Sequence, residues 1–93
     1  MNISDTIQWF NSVFEINRNP EDTKKNFFCG VTDDVEKIKN ERSVENLLGV
    51  SKCDNVETAQ KLKKRMGDEG YDIDDNDCVA PDYVYVYLYK KNV

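Results

Sequence analysis

Tyr83, Tyr85, Tyr87 and Tyr89 alternate with Val84, Val86 and Leu88 over a single stretch of the chain. In an extended backbone successive side chains point to opposite faces, so this is a strand with one aromatic and one aliphatic face. Both faces need cover. The pattern therefore predicts a central, shielded strand rather than one half in water.

The chain has 93 residues, enough for one domain with one modest core. Ile3, Ile7, Phe10, Val13 and Phe14 recur at helical spacing after Ser4, a suitable N-cap. This predicts an amphipathic helix ending near Asn17, ahead of Asn19-Pro20. Residues 18–26 are polar and loop-like, and Phe27 to Val31 has strand character. Gly30 within that run predicts a bulge or the close approach of another backbone. Asp33 and Glu36 fit a capping box for a helix from about Asp34 to Arg42, with Val35 and Ile38 facing inward. A strand is expected within residues 46–52.

Asp54 and Glu57 form a second capping box, and Val56, Ala59, Leu62 and Met66 make an apolar stripe. Gly70 reads as a left-handed stop, with Tyr71 and Ile73 free to fold back over the helix end. The expected architecture is an α/β (α+β) domain, a small, mainly antiparallel sheet of about three strands packed by about three helices.

Lys and Arg number 13 against 18 Asp and Glu, for a net charge of −5, which argues against a dedicated nucleic-acid binder. The acidity is local. Asp68, Glu69, Asp72, Asp74, Asp75, Asp77 and Asp82 fall within residues 68–82 with no base among them. Setting these seven aside leaves 11 acids against 13 bases elsewhere. Asp72, Asp74 and Asn76 match the first ligand positions of an EF-hand loop, and Val79 its apolar position. Asp77 stands where glycine makes the turn, however, and Tyr83 where a bidentate glutamate closes the site. The run reads instead as a solvated acidic loop able to dock on another protein with a basic surface.

Catalysis has little to work with. Histidine is absent, and no nucleophile elbow or phosphate-binding glycine loop occurs. Cys29, Cys53 and Cys78 are an odd number without metal-ligand spacing or an activating base, so free thiols in a cytoplasmic protein are expected. No metal or cofactor is implied, no signal peptide is read at the N-terminus, and no apolar run approaches the ~20 residues of a membrane span. Lys61, Lys63, Lys64 and Arg65 load one helix, where the plain reading is a solvated face that suits the helix dipole.

The segment Phe27-Phe28-Cys29-Gly30-Val31-Thr32-Asp33-Asp34-Val35-Glu36-Lys37 resembles the second motif of GIY-YIG nuclease domains. Leu47-Leu48-Gly49-Val50 followed by Asp54 to Arg65 resembles that family's third strand and following helix. The strand Tyr83 to Tyr89 resembles its first strand, displaced to the other end of the chain. The resemblance is one of spacing over roughly half of the residues. It implies a degenerate, permuted site. Phe28 stands for the motif tyrosine, Ile38 for the helix arginine between Lys37 and Lys39, and Lys63 for the metal-binding glutamate. Nuclease chemistry is then not expected. A noncatalytic relative would touch nucleic acid through Lys37, Lys39, Lys63 and the row Tyr83, Tyr85, Tyr87, Tyr89, with the rings as a stacking platform. The first reading remains a non-enzymatic protein-interaction or regulatory module, with the tyrosines packed as core.

Overall fold

The computed structural model describes residues 2–41, 47–74 and 80–91. Helix α1 (Ile3–Asn17) leads through a short 3-10 turn (Lys24–Asn26) into strand β1 (Phe27–Thr32). Helix α2 (Val35–Glu41), strand β2 (Gly49–Lys52) and helix α3 (Val56–Asp68) follow, then strands β3 (Asp72–Ile73) and β4 (Tyr85–Lys90). The sheet order is β2-β4-β1-β3. Strand β4 runs antiparallel to both neighbours, whereas β3 is parallel to β1.

The tyrosine strand is therefore central, and its two faces meet different partners. Val86 and Leu88 join Phe27, Cys29 and the inner residues of α1 and α3 in the main core. Tyr87 and Tyr89 pack with Phe28 and with Ile38 of α2 on the opposite face. Burying a large apolar side chain of this kind contributes about 1.5–3 kcal/mol, so β4 is a principal source of stability.

Among the described residues four strands replace the expected three. The extra strand, β3, arises inside the acidic run, because Asp72 and Ile73 register against Phe28 and Cys29. Two residues carry no readable alternation, and their acidic neighbours disguised them.

Helix α1 is capped by Asn2 rather than Ser4: the Asn2 side chain accepts from the Asp5 N–H at 2.8 Å. Helix α3 is capped by Asn55, which accepts from the Thr58 N–H at 2.8 Å, rather than by Asp54. At α2 the Glu36 N–H donates to Asp34 Oδ1 at 3.0 Å, so Asp34 and not Asp33 serves as the cap. Asn, Asp and Ser cap comparably well, so where the chain turns decides among neighbours.

Gly70 has φ +111°, and the end of α3 is a Schellman turn. The Tyr71 N–H donates to Met66 O at 3.2 Å, and the Gly70 N–H to Gly67 O at 3.1 Å. Tyr71 is thereby turned into the core. Its ring meets Phe14 edge-on at 6.0 Å, and its hydroxyl donates to Asn11 Oδ1 at 2.7 Å. This ties α1 to the end of α3.

Candidate functional site

The aromatic row does not form a stacking platform. Tyr87 is 1% exposed and Tyr89 8%, and only Tyr83 and Tyr85 are half-buried. Tyr87 and Tyr89 lie nearly parallel, centroids 6.1 Å apart, with Phe28 5.5 Å from Tyr89. Rings that fill a core beneath a helix have no free face for a base.

Lys63 departs from the nucleic-acid expectation in the same way, being 4% exposed on the inner side of α3. Ala59, Leu62, Lys63 and Met66 are the buried residues of that helix. Their spacing of three, four and seven is one helical face, a signal the sequence carried and the run of bases obscured. Lys37 is exposed, and Lys39 lies 3.5 Å from Glu36.

The seven acids do not share one loop. Asp68 ends α3 and Glu69 caps it. Glu69 accepts from Asn11 Nδ2 at 3.0 Å and stands 3.8 Å from Lys24 Nζ. Asp72 lies in β3 with Lys91 Nζ at 2.9 Å, and the Asp74 N–H donates to Cys29 O at 3.3 Å. Asp75 and Asp77, with most of the EF-hand-like stretch, lie outside the described residues. Asp82 is exposed in the turn that leads toward β4.

Asp82 acquires other company instead. Thr32 pairs with Tyr85 across the β1–β4 ladder, which sets the turn after β1 beside the segment entering β4. Asp33, Asp34, Asp82, Tyr85, Val84, Pro81 and Lys52 together line a cleft of about 580 Å³. Lys52 sits directly across from Tyr85 in the ladder, its Nζ 5.8 Å from the ring centroid. Three carboxylates against one ammonium leave the cleft anionic, with an aromatic wall that already accommodates a cation. Asp33 and Asp34 were legible only as caps; their approach to Asp82 is a product of topology.

On the other side of β2 a groove of about 610 Å³ and mixed polarity runs past Asn2, Ile3, Ser51, Cys53, Asp54 and Leu62, and Lys52 lines it as well. Burial, then the nearby Asp54 carboxylate, raises the Cys53 thiol above its ordinary range. Burial pushes Cys29 up to about 12, against a small opposing pull from Lys63. Neither thiol is activated.

Among the described residues no group of three or more His, Cys, Asp or Glu side chains is placed to hold a metal ion. No helix among those residues is long and apolar enough to cross a membrane. No family model, curated protein or solved structure matches the chain.

Proposed function

We propose that this chain is an acidic, cytoplasmic, non-enzymatic protein-interaction or regulatory module that engages a basic surface of another protein. The observation that carries this reading is the cleft between the turn after β1 and the segment entering β4. There Asp33, Asp34 and Asp82 line the same cleft as the half-buried Tyr85. Carboxylates supply long-range attraction and orientation, and the ring supplies short-range contact with an ammonium or guanidinium.

The test is a titration of the 15N-labelled chain with a short oligo-arginine peptide, with an oligo-glutamate peptide as control. Binding of the arginine peptide should shift amide resonances at residues 33, 34, 82 and 85, weaken steeply between about 20 and 300 mM salt, and fail in Asp33→Asn/Asp34→Asn/Asp82→Asn. Shifts elsewhere, or equal binding by the triple variant, would remove the reading.

A second reading, a catalytically inactive GIY-YIG-like nucleic-acid-binding domain, is favoured by Lys61, Lys64 and Arg65, all exposed on α3, together with Lys37 on α2. It requires an affinity for single- or double-stranded DNA or RNA that falls linearly on a log–log plot against salt. Absence of binding at low salt would dispose of it.

A further inference from the structure

Among the described residues strand β2 ends the sheet, with β4 on its inner side. Gly49 and Ser51 stand opposite Leu88 and Val86, and the Cys53 N–H continues the same phase by donating to Val84 O at 2.7 Å. In an antiparallel ladder alternate residues direct their N–H and C=O to the partner strand. Val50 and Lys52 therefore direct theirs outward, and among the described residues no backbone hydrogen bond meets them there. The Val50 side chain is 36% exposed beside this edge. An uncovered edge is a template for an added strand.

The edge is also flanked by concavities on both faces. The anionic cleft lies on the Tyr85 side and the groove of mixed polarity on the Ser51 side, with Lys52 common to both. A strand laid along β2 would send alternate side chains toward each, the arrangement by which strand addition gains specificity. The charges lining the two sides are Asp33, Asp34, Asp82 and Asp54 against Lys52. That balance selects a cationic occupant. It disfavours a second copy of this chain, which would bring the same carboxylates to the joint edge.

We propose that the β2 edge receives an extended, basic segment of a partner protein as a fifth strand, held by the outward backbone groups of Val50 and Lys52. This rests on the acidic-module reading above and specifies how the partner binds. Edge strands tolerate proline where the N–H faces outward, so Val50→Pro removes one of these donors without breaking the β2–β4 ladder.

The experiment is amide hydrogen exchange by NMR on the full chain. It is run free and with a synthetic peptide alternating arginine with threonine or valine, and repeated with the same peptide N-methylated at alternate residues. In the free chain the Val50 and Lys52 amides should exchange rapidly. Saturation with peptide should slow them by at least about tenfold. Val50→Pro and the N-methylated peptide should each weaken binding by about tenfold or more.

Salt-dependent binding that survives Val50→Pro and N-methylation but fails in the triple Asn variant would overturn strand addition and leave the acidic module standing. Slow exchange of Val50 and Lys52 in the free chain would overturn it too, and a concentration-dependent dimer in that case would identify a second copy as the occupant. No binding of the peptide at low salt would overturn both readings. Should Val50→Pro fail to fold, the N-methylated peptide decides alone.

Discussion

The phenol of Tyr87 lies across Gly30. A β-carbon built on Gly30 would stand 2.3 Å from the Tyr87 hydroxyl oxygen and 2.6 Å from Cζ. The two residues face each other in the β1–β4 ladder, so the missing side chain of one is the room for the other. What approaches this glycine is thus a ring, in an unbroken ladder, rather than the bulge or close backbone that its place in the strand predicts.

Gly30→Ala should accordingly destabilise the fold by about 1–3 kcal/mol, the usual cost of overpacking a filled core. Tyr87 has little freedom to yield, being stacked against Tyr89 and packed beside Phe28. Urea denaturation of Gly30→Ala, Tyr87→Leu and the double variant measures the coupling. A strongly non-additive cycle is expected, with Gly30→Ala tolerated once the ring at position 87 has been replaced by a shorter side chain. Additive losses would contradict the packing described.

Alkaline pH should unfold the protein through Cys29. Its folded-state value of about 12 lies above that of an unfolded thiol, so the fold retains a proton that the unfolded chain releases. This contribution is whole below about pH 8.5 and is lost as pH rises toward 12, with a slope near 1.4 kcal/mol per pH unit. Tyr71, raised chiefly by burial and then by Glu69, adds to the loss above about pH 10. Denaturation curves between pH 7 and pH 10.5 should show the decline, shallower in Cys29→Ala. Flat stability across that range would contradict it.

Gly70→Ala should cost about 1–2 kcal/mol, since φ +111° is a conformation that an L-residue adopts under strain. The loss should extend beyond α3, because the same turn delivers Tyr71 to Phe14 and Asn11. Hydrogen exchange would show faster opening of both α1 and α3. A loss confined to the last turn of α3 would mean that the helices are not joined this way.

Lys63→Glu tests the nuclease resemblance at its metal position. The side chain is enclosed on the inner face of α3, so reversing its charge should cost about 3 kcal/mol or more. Melting curves with and without magnesium or manganese should coincide. Stabilisation by either ion would reveal a metal site at this position.

Legibility followed the length of each pattern. The alternation from Tyr83 to Tyr89 made β4 plain, including its central place, because two apolar faces leave no other position in a sheet, although the strand itself begins only at Tyr85 and runs to Lys90. The stripes of α1 and α3 and the glycine stop at Gly70 were equally direct. Lys63 was hidden by residue type, although its spacing relative to Ala59, Leu62 and Met66 placed it inside. The acidic run read as one loop because composition records sign and not partner. Lys24, Lys91 and the end of α3 divide it in three dimensions. The cleft joins residues nearly fifty apart through a strand pairing that no local pattern encodes.

The most direct measurement is quantitative affinity capture from lysate of the source cells, comparing the wild-type chain with Asp33→Asn/Asp34→Asn/Asp82→Asn over a salt series. Asparagine at position 34 can still cap α2, so the variant should fold normally. Proteins with basic surfaces should be retained by the wild type at low salt, released as salt rises, and absent from the variant. The same set retained by both chains would contradict it.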